Sequence, residues 1–195
     1  MKSERIPVKS FSADNGFIGK MQKLVREEVL PYQYNILNDA IPGIERATPL
    51  KISALQPKAE GKDVKPDEFY GMVFQDSDVA KWIEAAAYAL AAGEDPELEK
   101  AVDETIQLYG ASQHEDGYVD SYFTVKCPDK MWTNICDAHE LYCAGHMMEA
   151  AVAYYEVTGK RELLDIMSKS ADCIYEQFMR KTRVPTRATR RWSSH

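Results

Sequence analysis

The chain is poor in the features that usually announce a function. Its four cysteines, Cys127, Cys136, Cys143 and Cys173, form no CxxC pair and no zinc-ribbon spacing. They read as reduced, mostly buried thiols, which suits a cytoplasmic setting. Positive charge is in deficit. A formal net charge of -7 argues against nucleic acid as a partner, because phosphate binding needs a basic face. No apolar run is long enough to span a bilayer, so no membrane role is expected. The opening "MKSERIPVKSFSADNG" lacks the apolar core of a secretory signal. No stretch alternates as a half-buried strand would, and no short repeat marks a TPR-like array.

What is present is a helical pattern in a chain that is 45% hydrophobic and 28% charged, the profile of a globular domain. Phe17, Ile18, Met21, Leu24, Val25 and Val29 recur at helical spacing until Pro31 interrupts them. A long polar loop follows at 42–68, and loops of that length are often functional. "DSDVAKWIEAAAYALAAGE" is the next helix, with Asp76, Ser77 or Asp78 as its cap. Asp95 and Pro96 then open another in the order cap, first helical residue. Residues 114–130 read as a loop turning at Asp116 and Gly117. A fourth helix is predicted from about residue 134 to Thr158, stopped by Gly159, and a fifth over 161–179. The predicted fold class is all-α, built from αα-hairpins.

The tail is different. "RKTRVPTRATRRWSSH" is basic, has no acid and carries no apolar period. One reading is a disordered end. The other is a frameshift or truncation product: one codon set for residues 188–195, read from its third base, gives His-Gln-Glu-Met-Glu-Leu-Ala, a sensible helix start. The domain reading is accordingly 1–180 as one helical unit and 181–195 as an irregular basic tail.

The densest chemistry lies in "HELYCAGHMMEAAVAYYEVTGK", residues 139–160. A zinc peptidase needs a second histidine four residues after the first. Here that position is Cys143, and His146 lies two turns on, roughly 10 Å away. One ion is not expected to bridge the two. Cys143 is one turn from both histidines, which permits a Cys–His nucleophile, but a lone cysteine in an alanine-rich helix reads better as a small core residue. His139, Tyr142 and His146 fall on one side of the predicted helix. Burial without partners is costly for them, so they either line a wet cavity or are core residues bonded to carbonyls. Two further stretches favour the cavity. Gln75, Asp76 and Asp78 crowd one helix start, where a cap needs only one of them. Gln113, Asp116, Tyr118, Asp120 and Tyr122 crowd one loop, where the turn explains only Asp116 and Gly117. Aromatic faces beside carboxylates and amides suit a sugar, which has apolar faces and hydroxyl rims.

These stretches resemble glycoside hydrolase family 127. The resemblance rests on "LPYQYNILND" at 30–39, "YGMVFQDSDVAKWIEAAAYAL" at 70–90, "DGYVDSYF" at 116–123 and "HELYCAGHMMEAAVAYYEVTGKRELLDI" at 139–166. It implies part of an (α/α)6 barrel, incomplete in this chain, with β-domains after it. It also implies retaining hydrolysis of terminal L-arabinofuranose. In the family a zinc held by cysteines and a glutamate activates a cysteine nucleophile, instead of the usual carboxylate pair. Those residues lie in the C-terminal part of family members. The four cysteines here match none of those motifs, so no catalytic residue and no metal ligand is expected in this chain. What carries over is a substrate-binding set: His139 as a sugar-pocket residue, Tyr142 and His146 beside it, and Gln75, Asp76, Asp78, Asp116 and Tyr118 as motifs of the barrel mouth. A carbohydrate is the expected ligand. A second copy is an expected partner, because a partial barrel leaves an apolar helix face open. A sugar epimerase on the same toroid, with histidines facing across the pocket, and a non-catalytic sugar-binding module are the alternatives.

Overall fold

The computed structural model describes residues 6–10, 13, 16–38, 40–42 and 72–180. The polar loop beyond residue 42 and the basic tail lie outside the described residues. Every regular element among those described is helical.

The first helix does not break at Pro31. Helix α1 (Gly16–Leu24) passes through a π-helical turn (Val25–Val29) into α2 (Leu30–Leu37). Proline has no N–H to give, and its ring crowds the carbonyl four residues back. A π turn widens the backbone there. The Leu30 N–H bonds to the Val25 carbonyl, five residues back. Leu30 and Leu37 are buried, whereas no residue of α1 is.

Two hairpins follow. Helices α3 (Asp76–Ala92) and α4 (Pro96–Ala111) are joined by three residues, and α4 starts as its sequence predicts. The Asp95 carboxylate accepts the Leu98 N–H at 3.1 Å, with Pro96 in the first turn. The expected cap of α3 is absent: Gln75 occupies that position and no side chain caps it. The entry tightens instead, with Ser77 N–H on the Phe74 carbonyl and Asp78 N–H on the Gln75 carbonyl. That leaves the Asp76 carboxylate for another partner.

The predicted loop at 114–130 contains a short helix α5 (Ser121–Val125), capped by Asp120, and a 3₁₀ turn (Pro128–Lys130). Helix α6 (Glu140–Thr158) begins about six residues later than predicted. Asn134 explains the delay. Its side-chain oxygen accepts the Asp137 N–H at 3.2 Å, the local bond by which Asn competes with a helix. Helix α6 stops at Gly159, φ 76°, and α7 (Glu162–Tyr175) turns back along it.

Helices α3 and α6 run side by side in the same direction and form the inner pair. Their contact is rich in small residues, Ala80, Ala86, Ala87, Ala144, Ala150 and Ala151, all buried. Small side chains let the two backbones approach closely. Ile83, Met147 and Tyr154 fill the remaining space and are fully buried. Helices α4 and α7 form the outer pair. Gly110 lies against the Ile166 side chain, and Lys160, just past α6, bonds both Glu99 and Asp103 of α4. Helix α2 is tied on by Trp82, whose indole N–H donates to the Leu30 carbonyl at 3.1 Å and whose ring stacks on Tyr34. The turn before α5 is pinned to α7. Gly117 has φ 92°, and a Cβ there would meet the Lys169 carbonyl carbon at 2.9 Å, so only glycine fits.

This arrangement of inner and outer helices brings the N-terminal ends of α3 and α6 together with the 112–139 connection. All the predicted site motifs lie on these parts of the chain.

Candidate active site

The predicted site residues separate into a surface row and a buried frame. In the row, the His139 ring stands edge-on to Tyr142 with centroids 5.7 Å apart, and Tyr142 stands edge-on to His146 at 4.6 Å. Phe74 packs on the other side of His139 at 5.5 Å. Lys81 of α3 donates to the Tyr142 hydroxyl at 3.0 Å and to the Ser77 hydroxyl at 3.2 Å. The result is an aromatic strip with a cation at its edge. His139 is not on the helix, as the spacing implied, but just before it, with a left-handed backbone at φ 60°. Its Nδ1 lies 2.7 Å from the Asp137 carbonyl. A carbonyl only accepts, so neutral His139 carries its proton on Nδ1 and presents Nε2 as an acceptor. His146 Nδ1 lies 3.2 Å from Glu149.

The frame sits behind the strip. Gln75 is buried and accepts the Met72 N–H through its side-chain oxygen. Asp76 is buried and accepts both the N–H and the hydroxyl of Ser121, which joins the start of α3 to the start of α5. Tyr118 is buried and donates to Glu140 at 2.7 Å. The Glu140 carboxylate also takes the Trp132 N–H on both oxygens at 3.0 Å. Asp116 is exposed and accepts the Tyr118 N–H, the turn role its sequence suggested. Asp78 is exposed on α3, and its N–H bonds the Gln75 carbonyl. Partial desolvation raises its carboxyl pKa, against an opposing pull from Lys81.

The frame is strongly acidic. Burial raises the pKa of Asp76 despite its Ser121 bonds. Asp120 is pushed well above the usual carboxylate range, by burial first and then by the neighbouring Asp76 charge. One Asp120 oxygen takes the Phe123 N–H at 3.0 Å, whereas Oδ2 is buried with no hydrogen-bond partner among the described residues. The Cys143 thiol is buried in the same field and its pKa rises, again through burial first. A thiol held protonated in the core is neither a nucleophile nor a ready ligand. Among the described residues, no three His, Cys, Asp or Glu side chains gather where a metal could bind.

Two described non-glycine residues have positive φ, Trp132 and His139, both at 60°. Such conformations cost on the order of 1–3 kcal/mol each and cluster at functional sites.

A family model described as "Beta-L-arabinofuranosidase, GH127 catalytic domain" matches residues 12–191. The chain belongs to glycoside hydrolase family 127. A curated relative, the non-reducing end beta-L-arabinofuranosidase of Bifidobacterium longum subsp. longum, is 41% identical over 78% of this chain and 25% of its own length. A solved GH127 beta-L-arabinofuranosidase from Geobacillus stearothermophilus T6 is 52% identical, with a TM-score of 0.76 over 82% of this chain and 24% of that one. A second solved GH127 beta-arabinofuranosidase is 30% identical, with a TM-score of 0.73 over 87% and 26%. The chain therefore spans about a quarter of the length of these relatives. Its two hairpins, each pairing one inner with one outer helix, are part of the (α/α)6 barrel of the family.

Reasoning from sequence missed the roles of Glu140, Trp132, Phe74, Lys81 and Ser121. Glu140 and Phe74 stand inside the motifs quoted for the resemblance, so they carried a signal. Lys81 and Ser121 stand inside those motifs too, whereas Trp132 carried no signal, because its role depends on backbone conformation.

Proposed function

We propose that the protein hydrolyses terminal β-L-arabinofuranosyl groups and that this segment supplies one wall of the sugar pocket. The observation that carries the reading is the Phe74–His139–Tyr142–His146 strip at the meeting of two inner-helix ends, in a chain of this family. Ring faces suit the apolar side of a furanose, and Lys81, Tyr142 and His139 Nε2 supply a cation, a hydroxyl and an acceptor for its oxygens. The histidines flank one tyrosine on one wall, so they do not form the facing pair an epimerase needs. The resemblance implies that the zinc and the cysteine nucleophile of the family come from the C-terminal part of its members. Four free thiols, two of them buried, support a reducing compartment such as the cytoplasm.

The 195-residue chain alone is expected not to cleave an aryl β-L-arabinofuranoside, while L-arabinose shifts the NMR signals of His139 and Tyr142. Turnover that survives Cys-to-Ser changes at all four cysteines would overturn the first expectation, and a titration that leaves the strip unmoved would overturn the second.

The apolar side of α1 supports self-association. Phe17, Ile18 and Met21 are exposed beside a groove of about 1050 Å³ that runs to Ala85, Tyr88 and Ala89. Light scattering is expected to find species larger than a monomer, and a stable monomer with one cooperative melt would refute this.

A further inference from the structure

We propose that Glu140 is a positioning residue for His139: its buried carboxylate clamps the 132–139 segment through Trp132 and Tyr118, and so holds the His139 imidazole with Nδ1–H on the Asp137 carbonyl and Nε2 turned outward. The sugar role of that Nε2 rests on the function proposed above, but the clamp itself does not.

The geometry is specific. Both described non-glycine residues with positive φ lie at the two ends of this one segment. Trp132 gives its N–H to both oxygens of Glu140, and His139 directly precedes Glu140 in the chain. One buried carboxylate therefore fixes both strained positions. Tyr118 completes the clamp from the other side. Its hydroxyl donates to Glu140 at 2.7 Å, and its ring stands edge-on to the Trp132 indole at 5.0 Å. Burial raises the Tyr118 phenol pKa, so it remains the donor. No ordinary helix start needs this apparatus. Glu140 is in the first turn of α6, yet it turns back onto the preceding segment, and the cap residue His139 makes no side-chain capping bond. A strained backbone persists only where its surroundings over-determine it. Here they do so at the residue whose ring the sugar strip needs. The bond from Nδ1 to the Asp137 carbonyl depends on the 132–139 path, and it sets the tautomer.

The test is Glu140→Gln in the 195-residue chain, read by long-range ¹H–¹⁵N spectra of the four histidines. Wild type is expected to show His139 as the Nδ1–H tautomer. The variant's amide oxygen can still accept from Tyr118, but its NH2 replaces one of the two oxygens that hold the Trp132 N–H and faces that donor instead. It is expected to lose that signature in favour of the Nε2–H form or an exchange average, with about fivefold weaker L-arabinose binding. A purely structural Glu140 would lower the melting temperature yet leave the His139 signature intact in the folded molecules, and that result overturns the proposal. Should Glu140→Gln fail to fold, Tyr118→Phe removes one donor and keeps the ring. It is expected to move the His139 signature in the same direction, and an unchanged signature there also overturns the proposal. Loss of the signature in a chain whose wild type binds no L-arabinose would support the clamp and count against the sugar reading.

Discussion

Asp120→Asn is expected to raise the melting temperature at pH 7 and to leave it nearly unchanged near pH 4. Asp120 is buried, and its Oδ2 has no hydrogen-bond partner among the described residues. In the unfolded chain its carboxyl titrates near the ordinary value of about 3.9. In the folded chain burial and the Asp76 charge hold it well above that. Between the two values the native state keeps a proton that the unfolded state has released. Stability therefore falls as pH rises through this window, by at most about 1.4 kcal/mol per pH unit for one proton. Asparagine keeps the oxygen that caps Phe123 N–H and has no proton to lose. Removing the ionisation that favours the unfolded chain at neutral pH should be worth about 1–3 kcal/mol net of burying the new amide N–H groups, and each kcal/mol moves the melting point by about 2–4 °C in a chain of this size. The groups facing Asp120 are Asp76 of α3, Glu140 and Cys143 of α6, Tyr109 of α4, Tyr118 of its own connection and Tyr122 of α5. Asp76 is raised in the same direction, so part of the slope should survive in the variant. Melting curves from pH 4 to 8 decide the matter. A lower melting point at pH 7, or a slope equal to wild type, would show that Asp120 is not the source.

The helices were legible in the sequence because their causes are local. Apolar spacing, the Asp95–Pro96 start and the Gly159 stop each act within one or two turns, and each is found where it was read. The departures arise where a distant contact outbids a local rule. Asp76 is a good capping residue by type, but buried beside Ser121 it bonds across 45 positions of sequence and the helix start closes on its backbone instead. Pro31 reads as a stop, yet Trp82 and Tyr34 hold α2 against α3 and the backbone yields by a π turn. His139 shows both sides. Its motif marked it for the sugar pocket, and its ring stands beside Tyr142 as the spacing anticipated, whereas its contact with Phe74 had no reading in the sequence. Its left-handed backbone has no signature in residue type, because a histidine at positive φ is set by Glu140, Trp132 and Tyr118 together.

His139→Ala, made in a full-length family enzyme carrying this segment, is expected to cut kcat/KM for an aryl β-L-arabinofuranoside by at least about tenfold, since 1.4 kcal/mol is one decade. The melting temperature should barely move. The His139 ring is partly exposed, and its described contacts are the edges of Phe74 and Tyr142 and one carbonyl. Alanine inherits the same left-handed backbone, so the strain of the site is neither relieved nor worsened. What is lost is an acceptor at Nε2. A hydrogen bond from a sugar hydroxyl is worth about 0.5–1.5 kcal/mol when neutral and more when charge develops. If it strengthens in the transition state, its removal lowers kcat and not only affinity. His146→Ala is the control. It keeps Tyr142 in the strip but removes the ring on the far side and the contact with Glu149, so its effect on turnover should be smaller. A core role for His139 makes the opposite forecast: a clear fall in melting temperature with near-normal turnover by the molecules that stay folded. Measuring both quantities on both variants separates the two accounts. Unchanged turnover with a large loss of stability at His139 would remove it from the sugar wall.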